Sequence, residues 1–176
     1  RFAPEHRDDT YWQAALTIQG KVGDLDVTYS GAYLKRNFDA FFDYSDYSYF
    51  YDVVAGYGTY FVGDCPANDY SCDPINPSQY IRSRDRFTKL SQEIRLSTDF
   101  GDRIRFQTGA FYQRQTHNIQ QRYMIDNLAQ FLGVTGWDDT IWLTKQERID
   151  RDYAVFGQLE FDLTDQLTLT GGLRYT

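Results

Sequence analysis

Residues 153–176, YAVFGQLEFDLTDQLTLTGGLRYT, decide the fold. They alternate, turn and alternate again. Tyr153, Val155, Gly157, Leu159 and Phe161 fall on one face, and Ala154, Phe156, Gln158 and Glu160 on the other. After a turn expected over Asp162–Gln166, Leu167, Leu169, Gly171, Leu173 and Tyr175 resume the first face, opposite Thr168, Thr170, Gly172 and Arg174. Successive side chains of an extended chain point to opposite sides, so a period of two broken by a short Asp/Thr turn predicts a β-hairpin. One face is apolar and the other carries hydroxyls, amides and charges. That pattern serves a sandwich core and a lipid-facing wall equally well.

The same rhythm recurs upstream. A strand over Thr10–Gly20, a turn at Lys21–Asp24 and a return from Leu25 to Tyr33 predict one hairpin. A strand over Phe87–Asp99, a turn at Phe100–Asp102 and a return over Arg103–Gln113 predict another. Between the hairpins the alternation breaks. Asp39–Arg86 is first aromatic and acidic, then dense in Gly, Pro and Asn, which predicts a long connection. A second long connection is expected over Arg114–Arg151, and within it Met124–Gly133 (MIDNLAQFLG) has helical spacing. Three short turns separated by two long connections mark a membrane barrel with short turns at one rim. A sandwich instead turns every ~8–12 residues.

Bulk properties narrow the choice. A net charge of −7 argues against nucleic acid, whose phosphates demand a basic face. Aromatics at 18% suit interface girdles and aromatic-lined loops. No run approaches the ~18 apolar residues of a spanning helix, which leaves strands of ~10 residues as the means of crossing a membrane. The sequence opens RFAPEHRDD and stops inside a strand at Thr176, so an internal piece of a longer exported chain is expected.

Two strings carry a family resemblance: AVFGQ, a DLTD turn and LTLTGGLRYT in the last hairpin, and KLSQEIRLSTDFGDRIRFQTGAFYQ over residues 89–113. Both are similar to the barrel hairpins of TonB-dependent outer-membrane receptors. The resemblance implies that 1–176 is part of a single barrel domain, with the plug domain and the remaining strands outside this sequence. It implies an all-β, antiparallel transmembrane β-barrel segment of six strands in the bacterial outer membrane. Short turns would be periplasmic and two long loops extracellular, with apolar faces on lipid and polar faces on the lumen. The implied function is active import of a scarce nutrient, driven by the TonB–ExbB–ExbD complex through an N-terminal part. A ferric siderophore is the expected cargo, being the family's commonest substrate class. A carbohydrate, cobalamin or haem importer, or a passive porin or adhesin barrel, is the alternative. Outer-membrane lipid and lipopolysaccharide would surround it. No cofactor is expected, and no enzyme: there is no Ser-His-Asp grouping in a strand-turn-helix context, no Gly-rich phosphate loop and no HExxH string.

Candidate site residues follow. Cys65 and Cys72, the two cysteines of the chain, would close a small disulfide loop in an oxidising exterior. Tyr44, Tyr47 and Tyr49 offer a ligand platform, or loop-on-loop packing. Arg82, Arg84 and Arg86 offer donors to an anionic ferric chelate, or pair with lipopolysaccharide phosphates, Asp85 or other loop acids. Glu93, Arg95 and Arg105 sit on predicted polar faces and would hold a plug through ion pairs. His6 and His117 are isolated, so no metal site is assigned.

Overall fold

The structure, a computed structural model, describes residues 3–50, 78–127 and 133–176. Six strands form one sheet in the order of the chain: β1 (His6–Val22), β2 (Leu25–Asp43), β3 (Gln79–Phe100), β4 (Ile104–Ile125), β5 (Thr140–Thr164) and β6 (Leu167–Tyr175). A single helical turn, α1 (Ser45–Tyr49), follows β2. The all-β, antiparallel class of six strands that the resemblance implies for a barrel segment is the class observed. No helix among the described residues is long and apolar enough to cross a membrane, which says nothing of strands.

All three short turns are present. Gly23 and Gly101 take the left-handed φ of +62° and +67° that a two- or three-residue turn requires and that glycine adopts without strain. The third turn is tighter than the five residues Asp162–Gln166 expected, because β5 continues to Thr164 and β6 begins at Leu167. A register shift between Asp162 and Thr164 absorbs the extra residue.

The larger correction concerns the long connections. Asp39–Asp43 and Gln79–Arg86, expected as loop, are the ends of β2 and β3. Most of Arg114–Arg151 is likewise strand, since β4 runs to Ile125 and β5 starts at Thr140. Met124 and Ile125, expected to open a helix, close β4, and residues 128–132 lie outside those described. The physical reason is that pairing with a neighbour, not burial of one face, extends these segments. RQTHNIQQRY has no apolar face to alternate, yet its backbone groups still find ladder partners. At ~3.3 Å per residue and ~40° of tilt, the 25 residues of β5 rise about 60 Å, more than twice the ~25 Å apolar band.

The chain divides into two compact units, each cut from several strands. One comprises Tyr11–Arg36, Phe87–His117 and Arg148–Thr176. Here the register pairs Val155 with Tyr175, Leu159 with Gly171 and Phe161 with Leu169, so the apolar residues of β5 and β6 share a face as expected. The intervening pairs, Gln158 with Gly172 and Glu160 with Thr170, share the other. The apolar face lies open: Leu173 is 87% and Tyr153 63% exposed. Two aromatic pairs sit on it, Trp12 with Tyr33 at 5.2 Å and Tyr112 with Tyr153 at 5.1 Å between ring centres. An apolar groove of about 840 Å³ runs between Tyr29, Ile94, Ala110, Tyr112 and Val155, and Gln92 lines it too. On the polar face Arg105 donates to both Glu160 and Asp162, and Asp162 also accepts from Thr168. Glu93 and Arg95 pair with each other. The ion pairs of this face therefore link wall residues to wall residues.

Gly109 is the tightest point of this unit. A Cβ there would stand 2.5 Å from the Ile94 carbonyl oxygen and 2.5 Å from Cζ of Phe156, whose ring lies against the bare backbone. Gly171 has nothing within 4 Å of the same position. Gly109→Val in the whole receptor is therefore expected to destabilise the folded barrel by roughly 1–3 kcal/mol, as overpacking does. Gly171→Val should be near neutral. Urea unfolding in lipid or detergent, followed by loss of the fast-migrating folded band on unboiled gels, measures both.

Candidate functional site

The other unit comprises Arg1–Thr10, Asn37–Arg86 and Asn118–Glu147, and holds Tyr44, Tyr47, Arg82, Arg84 and Arg86 of the expected ligand site. Its strands present two chemically different faces, and consecutive residues tell them apart. His6 stacks on Phe41 at 5.8 Å, and Phe41 on Tyr80 at 4.9 Å. The next residue after His6, Arg7, instead lies over Phe38 at 5.8 Å and Phe42 at 5.6 Å. Arg122 shares a cavity with Arg82 and Arg84, whereas its neighbour Tyr123 meets Tyr44 edge to face at 5.7 Å. One face thus carries His6, Asp39, Phe41, Tyr80, Arg82, Arg84 and Arg122. The opposite face carries Arg7, Phe38, Phe42, Tyr44 and Tyr123.

The tyrosines of the expected platform are in part brought together. Tyr44 stacks on Tyr47 with ring centres 4.9 Å apart and planes 22° from parallel. Local hydrogen bonds fix this presentation. The Tyr44 N–H donates to the carbonyl of Gln79, and the Ser45 hydroxyl donates to Asp43 at 2.6 Å. Asp43 also accepts from the Ala3 N–H, and its own N–H donates to Glu5. The end of β2 is therefore tied to the start of the chain and to β3. Tyr49 ends α1, and its side chain lies outside those described, as do Cys65 and Cys72 with the disulfide expected between them.

The arginines form a separate group. Arg84 donates to Asp39 at 3.0 Å and Arg86 pairs with the same carboxylate at 2.9 Å. Arg86 also donates to the carbonyls of Phe38 and Asp85. Asp39, not the Asp85 side chain, is thus the acid that pairs with this stripe. The bond from Arg86 does most to hold the Asp39 carboxyl below its usual range; burial opposes it and Arg84 reinforces it. Arg82 lies over the Tyr80 ring at 5.7 Å. Arg122 donates to the Thr140 hydroxyl and the Asp138 carbonyl, with its guanidinium 5.2 Å from the Trp137 ring centre. Among the described residues Arg82 and Arg122 meet no carboxylate.

Sequence reasoning missed Arg7 and Tyr123 as parts of these groups, and Asp39 is one of the loop acids it offered the arginines. A signal existed for the first. Counting outward from the Gly23–Asp24 turn sets His6 opposite Phe41 and Arg7 opposite Ala40, between Phe38 and Phe42. No comparable count reaches Tyr123, because β2 and β4 are joined through β3 and residues outside those described. Among the described residues no group of three or more His, Cys, Asp or Glu gathers to hold a metal.

Compared with known proteins, residues 2–176 match the family model described as TonB dependent receptor-like, β-barrel. No curated protein and no solved structure matches the chain.

Tyr80 gives a pH test of the site's geometry. Burial foremost, then the hydrogen bond it donates to Asp126 at 2.7 Å, pushes its phenol up to about 12. A raised folded value means that its contribution to stability is complete below the ordinary ~10 and is lost as pH rises toward about 12. In an alkaline titration of tyrosinate absorbance, the difference between the wild-type receptor and Tyr80→Phe should show a step near 12. A step at the ordinary value would mean that the phenol is not held in this way.

Proposed function

The chain belongs to the TonB-dependent receptor β-barrel family, and on that premise we propose that it supplies wall and external surface to an outer-membrane receptor that actively imports a ferric siderophore. The observation that carries the cargo reading is the face bearing Arg7 between Phe38 and Phe42, together with the Tyr44, Tyr47 and Tyr123 rings. Aromatic rings give a flat-ringed chelate contact area at low entropy cost, and phenol hydroxyls bond its polar edge. A single guanidinium among them complements a net anionic complex. The expected TonB–ExbB–ExbD drive acts through the N-terminal part of the receptor and is proposed here on family grounds alone.

A second reading has its own support. Tyr44 and Tyr47 stack nearly parallel, a surface on which a sugar ring also packs, and the arginine stripe that would favour an anionic chelate lies on the opposite face. A carbohydrate importer is the alternative on that ground. Asp85 stands in this unit with one buried carboxylate oxygen that has no hydrogen-bond partner among the described residues, a group that would disfavour a strongly anionic cargo close to it.

The test is growth of the source bacterium, with the gene deleted or intact, on panels of single iron sources and single carbon sources. Loss on one ferric chelate with ordinary carbon use is the expected outcome. Loss on one sugar with iron uptake intact moves the cargo to carbohydrate, and no loss in either panel overturns import of both. In the receptor itself, Tyr47→Ala and Tyr123→Ala should each weaken cargo binding by roughly tenfold, the effect of removing an aromatic anchor. Unchanged binding in both variants would remove the platform from the site.

A further inference from the structure

One buried acceptor of this unit is left over by the strand ladder. The Oδ1 oxygen of Asp85 is buried and accepts no hydrogen bond among the described residues, although the residue as a whole is partly exposed. A carboxylate oxygen that gives up water without gaining a donor costs stability, so its place in the sheet calls for an explanation.

Arg84 and Arg86 both pair with Asp39 on one face. Asp85 stands between them in β3, so its side chain falls on the opposite face, with Arg7, Phe38, Phe42 and the tyrosine rings. Counting back along both strands from the bond between the Tyr44 N–H and the Gln79 carbonyl sets Phe38 opposite Asp85. The bond from Arg86 to the Phe38 carbonyl agrees with that alignment. The Arg7 guanidinium lies 5.8 Å from the centre of the same Phe38 ring. Phe38 thus has a cation beside it from β1 and a carboxylate beside it from β3, the two strands that flank β2. No ion pair joins the two charges among the described residues. Opposite charges held apart by an apolar ring match a ligand whose own charges are split in the reverse order.

We infer that Asp85 is a specificity residue of the cargo face, and that it receives a protonated amine on an arm of the ferric chelate whose anionic body meets Arg7 and the rings. The inference rests on the cargo reading above and deepens it. An ammonium offsets the charge of a partly buried carboxylate, whereas a neutral hydroxyl supplies one bond and leaves the charge in place. The partial exposure of Asp85 leaves its carboxylate within reach of such an arm. A wholly anionic chelate would meet Asp85 with like charge; an amine arm turns the same carboxylate into an attraction.

The test uses the whole receptor, purified in detergent and titrated with two probes, binding being read by quenching of tryptophan fluorescence. One probe is a ferric triscatecholate chelate that carries a free primary amine, and the other is the same chelate acetylated at that amine. The amine form should bind about tenfold or more tightly, the scale of a hydrogen bond between charged groups. Asp85→Asn should remove that preference by weakening the amine form alone. Without chelate, the same variant should raise the urea midpoint of unfolding, because it removes a buried charge. Equal binding of the two chelates by the wild-type receptor, a comparison that needs no variant, overturns the proposal and leaves the cargo reading standing. So does a preference that survives in Asp85→Asn. A lowered midpoint with equal loss of both chelates assigns Asp85 to the framework of the strand and likewise overturns it. Binding of neither chelate, with a neutral sugar bound through Asp85 instead, gives the oxygen to a hydroxyl and overturns the chelate reading itself.

Discussion

The ladder of backbone hydrogen bonds between neighbouring strands is the constraint on which everything else depends. Within hydrocarbon no water is at hand for an unpaired N–H or C=O, so a chain that crosses by strands must pair each with the next. That pairing forces extension, and extension forces side chains to alternate. The two-faced character of the sheet is a by-product of satisfying the backbone, and the faces then diverge in composition because their surroundings differ. In one unit the result is an open apolar side with Trp12, Tyr33, Tyr112 and Tyr153, and a polar side whose charges, Arg105 with Glu160 and Asp162, are matched strand to strand. In the other the same alternation separates a guanidinium-rich side from a tyrosine-rich one.

How much of this is legible in the sequence follows from where that constraint acts. The six strands and their three short turns could be read because lipid demands a clean apolar period, and YAVFGQLEF or LDVTYSGAY displays it. The ends of β4 and β5 beyond those hairpins could not, because RQTHNIQQRY carries no apolar period, although the strand continues through it. Met124 and Ile125 fell to the same cause: apolar spacing that suits a helix is equally met by the buried end of a strand, and both are fully or almost fully buried there.

The site divides along similar lines. RSRDR announces three arginines on one side of a strand, and the sequence alone can say that much. That Asp39 is the carboxylate between Arg84 and Arg86 depends on how β2 aligns with β3 across residues with no readable register. The tyrosines illustrate the converse. Their clustering in sequence suggested a platform, and the structure assembles Tyr44 and Tyr47 but completes the group with Tyr123, from a strand nearly eighty residues away. Chemistry that lies along one strand is visible from the sequence; chemistry that lies across strands waits for the alignment.

The ring of Phe156 lying on the bare backbone of Gly109 has a consequence for how such a wall is put together. Neighbouring strands can in principle slide past each other in steps of two residues without exchanging faces. The glycine is a notch and the ring a key. A slip of two in either direction carries the ring toward Gln107 or Phe111, where side chains occupy the space that Gly109 leaves vacant. The pair acts as an alignment mark for β4 against β5, so that a hairpin arriving late in assembly finds one seating among several that the hydrogen-bond ladder alone would accept.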